Sequence, residues 1–147
     1  MKGGAWLKRY YGGKIRRILR QASKALKDKG YRVTRIYEMH DADYVWGITL
    51  CPPAHPPHPD NQWTHDNDVD IRFSILDSKD SDGTPGCMNF SVDVTEVGGR
   101  IIGGLTPFNY TDRVWIPLTD HQEINERWQI MENAGVDGLV GLITRNE

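Results

Sequence analysis

Histidine, cysteine and aspartate side chains are concentrated in one proline-rich segment, from Cys51 to His65, with the sequence CPPAHPPHPDNQWTH. Imidazole and thiolate are ligands that zinc prefers, so this composition suggests a divalent-metal site. Aspartates follow the segment at alternate positions and could add carboxylate ligands, as in a metal-dependent hydrolase or phosphodiesterase. The candidate metal ligands are His55, His58, His65, Asp66 and Asp68.

The five prolines of this segment weigh against chelation. They favour an extended polyproline-like backbone, which would separate His55 from His58 by about 9 Å along the axis, too far to hold one ion. The aspartates also lack a matching base, nucleophile or second carboxylate cluster. We therefore expect residues 51–68 to form a solvated, semi-rigid Pro/His-rich loop without a cofactor, and zinc or another divalent metal remains the alternative.

The strongest remaining signal is the distribution of charge. The net charge of the 147 residues is −2, but residues 1–35 carry twelve basic residues and one acidic residue, a net charge of +11. The rest of the chain therefore carries −13. Such a split is typical of a basic segment that binds a polyanion, and equally of one that pairs with the acidic body of its own protein.

An amphipathic helix organises these basic residues. From Lys14 to Lys29 the apolar residues recur at three-and-four spacing and the arginines and lysines lie on the opposite side, with Gly30 as the C-terminal stop. Gly12 and Gly13 are expected to separate this helix from a basic aromatic arm, residues 1–13. Cations attract phosphates and aromatic rings stack on bases. The candidate ligand-binding residues are Trp6, Lys8, Arg9, Tyr10, Tyr11, Arg16, Arg17, Arg20, Lys24 and Lys27.

Alternating patterns after Gly30 predict strands. They cover residues 31–38, 43–50, 69–75, 88–95 and 100–106, with a hairpin turn at Gly98-Gly99 and one further short strand near 113–116. Thr119 or Asp120 can cap a second helix that carries an apolar stripe up to Gly135. Residues 139–143 are then a final strand or a packed tail.

This order predicts a single α+β domain over residues 14–147: an antiparallel sheet of about five or six strands, with an N-terminal amphipathic helix and a C-terminal helix packed on it. No run of residues is long and apolar enough for a membrane span, and two cysteines are too few for a disulfide framework. We expect a cytoplasmic protein with free thiols.

The sequence favours a binding protein over an enzyme, because it contains no nucleophile elbow, phosphate loop or dinucleotide fingerprint. The preferred hypothesis is a small non-catalytic protein that contacts a nucleic acid, a nucleotide or an acidic protein partner through its basic N-terminal helix. One alternative is the metal-dependent hydrolase described above. The other is a structural, homo-oligomeric subunit of a phage-type assembly, with Trp63 and Trp115 at interfaces; this order of elements is loosely like that of small phage tail-assembly and toxin-immunity proteins.

Overall fold

A long helix stands at each end of the described chain, with a strand meander between them. The computed structural model describes residues 5–40, 44–54, 66–78, 86–104 and 114–145. The elements are α1 (Ala5–Lys27), β1 (Arg32–Met39), β2 (Tyr44–Cys51), β3 (Val69–Ser78), β4 (Cys87–Glu96), β5 (Ile101–Gly104), β6 (Ile116–Pro117) and α2 (His121–Thr144). The predicted α+β class, with one antiparallel sheet and two terminal helices, is confirmed.

The sheet follows chain order. Strands β1 to β5 lie side by side in chain order. Strands β5 and β6 both pair with β4, β5 near its C-terminal end and β6 at its N-terminal end. All pairings are antiparallel, and the register aligns Trp46 of β2 with Phe73 of β3, which in turn faces Val92 of β4. Alternate residues of the central strands therefore point to the same side.

Both helices cover this apolar side of the sheet. Tyr11 of α1 lies with its ring centroid 5.2 Å from Phe90 and 5.1 Å from Trp128 of α2. Trp128 also contacts Phe73, at 6.2 Å. One continuous core thus joins α1, α2 and the three central strands, and burial of these rings in a close-packed interior stabilises the arrangement.

Helix α1 is longer than predicted. It begins at Ala5 and continues through Gly12 and Gly13, where the sequence had suggested a separate arm. The reason is tertiary: Leu7 and Tyr11 are buried, and a Cβ at Gly12 would lie 3.3 Å from Cζ2 of Trp46. The absence of a side chain at Gly12 therefore allows α1 to pack closely against β2. The helix ends as predicted, with the amides of Gly30 and Tyr31 donating back to α1 carbonyls in the Schellman pattern.

Helix α2 also continues past its predicted end. Asp120 caps it as expected, accepting a hydrogen bond of 3.1 Å from the Glu123 amide. The helix then passes through Gly135, whose missing side chain admits Ile18 of α1. Residues 139–143 are therefore helical, and Leu139 and Ile143 extend the buried stripe. Neither described helix has the length and apolar character that crossing a membrane requires.

Candidate functional site

Four basic residues form a line along α1. Arg16, Arg20, Lys24 and Lys27 are spaced by four, four and three residues, so they share one face of the helix and span about 16 Å. The opposite face fixes this orientation, because its apolar side chains are buried against the sheet and α2. We call these four residues the basic ridge. The basic stripe expected from the sequence is therefore present, and its four ridge residues are exposed.

A cleft of about 510 Å³ separates the basic ridge from strands β1 and β2. The four ridge residues line it, together with apolar side chains and the hydroxyl-bearing Ser23. Among the apolar residues, Ile36 on β1 is 72 % exposed at the mouth. The apolar residues that line this α1–β1 cleft are Leu19, Val33, Ile36, Trp46 and Ile48.

One carboxylate in the cleft is already paired with the ridge. Glu38 of β1 accepts two hydrogen bonds from Arg16, at 2.5 Å from Nε and 3.1 Å from Nη2, in a bidentate ion pair. These hydrogen bonds are the main reason that the pKa of Glu38 falls from 4.5 to about 2, and His40 contributes through its bond to Oε2. The ion pair ties α1 to β1 and neutralises Arg16.

The other three ridge residues have no such partner. Within the described part of the chain, no ion pair or hydrogen bond joins the side chain of Arg20, Lys24 or Lys27 to an acidic residue. The acidic body of the protein therefore does not cover this face through the described residues. The described lining of the cleft carries four cations and one carboxylate, and this electropositive wall attracts anions.

A buried indole ring also lines the cleft. Trp46 is only 1 % exposed, and its indole nitrogen has no hydrogen-bond partner among the described residues. A buried N–H without an acceptor costs about 1–3 kcal/mol relative to a satisfied one. Because that nitrogen is itself buried, Trp46 contributes an apolar ring to the cleft wall rather than an accessible donor.

The aromatic residues of the predicted binding surface have different roles from those expected. Tyr11 is a core residue, and burial raises its pKa to about 12, with a smaller contribution from Tyr10. Trp6 stacks on His121 of α2 at 4.7 Å. Only Tyr10 is exposed, with the Lys14 ammonium 4.8 Å from its ring centroid. The idea that Tyr11 stacks on a ligand is therefore wrong, because the ring is enclosed by Phe90 and Trp128.

The remaining predicted cations lie on α1 but outside the cleft. Arg9 and Arg17 are exposed and Lys8 is half-buried. None of the three lines the cleft, although Arg17 follows a ridge residue directly in the sequence. Arg17 is therefore a useful control for the role of the ridge.

Only two of the five predicted metal ligands, Asp66 and Asp68, belong to the described residues. His55, His58 and His65 lie outside the described residues. Asp66 is exposed, whereas Asp68 is buried and its carbonyl accepts a bond from the Val97 amide. In the part of the chain that the structure describes, no group of three histidine, cysteine, aspartate or glutamate side chains could hold a metal ion.

A second polar cluster lies on the sheet face away from the helices. Tyr37 donates a hydrogen bond to Asp70, with its hydroxyl 3.0 and 2.9 Å from the two carboxylate oxygens, and Thr49 donates to the same group at 3.2 Å. Arg35 lies over the Tyr37 ring, 4.5 Å from its centroid. Burial is the main reason that the pKa of Tyr37 is raised, and Arg72 opposes the shift. A cavity of about 500 Å³ adjoins this cluster. Arg72 in its lining hydrogen-bonds with Tyr37 and is attracted by Asp70 and Asp93, so the cluster is best explained as a structural network.

The sheet residues of the cleft are the functional candidates that sequence reasoning missed. Val33, Ile36 and Glu38 come from β1, and Trp46 and Ile48 from β2. Their alternation is visible in the sequence, but only the pairing of Ile36 with Ile48 and Glu38 with Trp46 places them opposite the ridge. The strand-to-strand register was the missing information.

No protein-family model, curated protein or solved structure matches this chain. The geometry of the α1–β1 cleft is therefore the basis for a functional proposal.

Proposed function

We propose that this is a small non-catalytic binding protein that holds a polyanion, a nucleotide or a nucleic-acid segment, against the basic face of α1. One observation carries the proposal: Arg20, Lys24 and Lys27 line an open cleft and have no acidic partner among the described residues. Arg17, on the same helix, adds to the positive surface.

The arrangement of the ridge favours a bound anion over a purely structural role. Like charges at i, i+4 destabilise a helix by a few tenths of a kcal/mol per pair, and the ridge contains two such pairs, Arg16–Arg20 and Arg20–Lys24. Glu38 relieves only the first. A polyanion relieves the remainder and gains free energy by releasing its condensed counterions.

Binding to a fluorescein-labelled single-stranded oligonucleotide, followed by anisotropy at low salt, tests the proposal. Wild-type protein should bind, and log K should fall linearly with log[salt]. The triple variant R20A/K24A/K27A should bind at least tenfold more weakly. Its salt slope should be smaller by about 2, since each phosphate contact on a single strand contributes about 0.7.

The matched control removes the same charge elsewhere. The variant K29A/R100A/R145A replaces three exposed cations outside α1 and should retain most of the affinity. Undetectable binding at low salt, or equal losses in the two triple variants, would refute the proposal. Competition by poly-L-glutamate at equal charge, stronger than that by unlabelled oligonucleotide, would instead indicate an acidic protein partner.

The assembly hypothesis retains one supporting observation. Ile101 is 76 % and Trp115 44 % exposed, and large exposed apolar side chains are typical of protein interfaces. Trp63 lies outside the described residues. Light scattering over a range of concentrations tests this alternative, because a strict monomer throughout would exclude a homo-oligomeric subunit.

A further inference from the structure

The lining of the α1–β1 cleft combines apolar side chains with the cations of the ridge. We propose that the cleft receives a single nucleobase, while the phosphate attached to the same nucleoside lies on Arg20, Lys24 and Lys27. This inference rests on the proposed function and specifies the ligand: a heteroaromatic ring joined to a phosphate, either as a free nucleotide or as one unit of a single strand.

The size of the cleft agrees with this ligand class. Small-molecule sites usually have volumes of about 300–1,000 Å³, and the cleft has about 510 Å³. A surface that only follows a phosphate backbone needs no concavity. The presence of a cleft beside the cations therefore indicates a ligand with a body to insert.

The chemistry of the lining indicates what that body is. Leu19, Val33 and Ile48 provide apolar walls, which favour a ring over a sugar or a phosphate. Ser23 adds a hydroxyl that can donate or accept a hydrogen bond. A nucleobase offers ring nitrogen, carbonyl or amino groups to this hydroxyl, whereas a hydrocarbon chain offers it no hydrogen-bond partner.

The position of the cations agrees with the position of the phosphate. They lie along the α1 side of the cleft, so a ring inserted between α1 and β1 leaves its attached phosphate next to the helix. Arg16 is held by Glu38, so the free positive charge is concentrated toward Lys24 and Lys27. The phosphate of the ligand is thus expected to point toward the end of the cleft that carries Lys24 and Lys27.

Isothermal titration calorimetry with the four nucleoside 5′-triphosphates, inorganic triphosphate and dodecanoate tests the inference. At least one nucleoside triphosphate should bind at least tenfold more tightly than inorganic triphosphate, which has the charge but no ring. A second comparison distinguishes the two sources of the ligand. If the ligand is one unit of a single strand, an oligonucleotide should bind more tightly than the free nucleotide, and an abasic site in place of that nucleotide should remove the gain.

Two pairs of variants locate the ring and the phosphate. Ile36→Glu puts a carboxylate at the mouth of the cleft and should weaken nucleotide binding at least tenfold. Met39→Glu makes the same change on the same strand, at a 42 % exposed position on the other sheet face, and should not. Arg20→Ala should weaken binding, and Arg17→Ala should have a smaller effect. Because Ile36 is exposed, the Ile36→Glu variant should fold.

The outcomes separate this inference from the function on which it rests. Equal affinity for inorganic triphosphate and all four nucleotides would overturn the nucleobase, while salt-sensitive oligonucleotide binding would keep the proposed function. Tighter binding of dodecanoate than of any nucleotide would overturn the nucleobase inference and indicate a ligand with an acyl chain and a carboxylate. Equal losses in Ile36→Glu and Met39→Glu would also overturn it. Failure of every anion, the oligonucleotide included, would refute both proposals.

Discussion

Replacing Glu38 by glutamine should strengthen anion binding while it weakens the fold. Among the described residues that line the α1–β1 cleft, Glu38 is the one carboxylate, and it neutralises Arg16 through a bidentate ion pair. Glutamine keeps the size of the side chain and removes its charge. Arg16 is then free to contact a bound phosphate, and the repulsion between Glu38 and that phosphate disappears.

The size of the two effects follows from the geometry. One unit charge about 5 Å from another in water contributes about 1 kcal/mol, so the affinity for a nucleotide should rise roughly fivefold at low salt. Both members of the ion pair are partly exposed, with 50 % and 34 % of the Arg16 and Glu38 side chains accessible. Their pairing is therefore worth only about 0.5 kcal/mol, and the free energy of unfolding should fall by about that amount.

The pH dependence of stability gives an independent check. Because Arg16 lowers the pKa of Glu38 from 4.5 to about 2, the stability that this carboxylate contributes is fully present above pH 4.5 and is lost as the pH falls toward 2. The difference in urea stability between wild type and Glu38→Gln should be constant above pH 5. It should shrink only below pH 4.5.

A matched control uses a second described glutamate–arginine pair. Glu96 contacts Arg100 four residues away, and neither residue lines the cleft. Glu96→Gln should leave nucleotide affinity unchanged. Weaker nucleotide binding by Glu38→Gln, or an equal gain in both variants, would refute the assignment of the anion site to the ridge.

Three further predictions concern the fold that supports the site. Gly47→Ala should cost about 2–3 kcal/mol in urea denaturation, because the new Cβ collides with the Tyr37 ring and breaks its bonds to a carboxylate. The same change in a Tyr37→Ala background should be nearly neutral, and additive costs would contradict the collision. Tyr11→Phe should remove a phenol whose pKa is raised to about 12. The stability that this raised pKa contributes is fully present below pH 10 and is lost as the pH rises through 12. Between pH 10 and 12 the variant should therefore lose less stability than the wild type. Asp120→Ala should cost about 1 kcal/mol, since it removes the acceptor for the Glu123 amide, and an unchanged melting temperature would argue against the cap.

Much of the fold could be predicted from local patterns. The 3.6-residue period of α1 and the alternation of Met88 to Val94 have direct physical causes, and both elements form as expected. The glycines were less predictable. Gly12 and Gly135 suggested helix ends, but each allows close approach of another element, Trp46 in one case and Ile18 in the other. Sequence shows a glycine without showing what packs against it.

The candidate site was only half predictable. The cations of the ridge follow from helical spacing, which a sequence displays directly. The opposite wall does not, because it depends on the strand register that places Ile36 and Glu38 beside α1. The environment of an aromatic ring is equally non-local: Tyr11 and Tyr10 are adjacent in sequence, yet one is enclosed by the core and the other is exposed.

A ¹H–¹⁵N NMR titration with a single-stranded oligonucleotide at low salt tests the central claim most directly. The amides of residues 16–27 and 33–38 should shift, and so should the indole resonance of Trp46, assigned with Trp46→Phe. The amide of Asp93, on the sheet face away from the helices, should not. The absence of any shift, or shifts centred on the Asp93 face, would contradict the proposal that the protein binds a polyanion at the α1–β1 cleft.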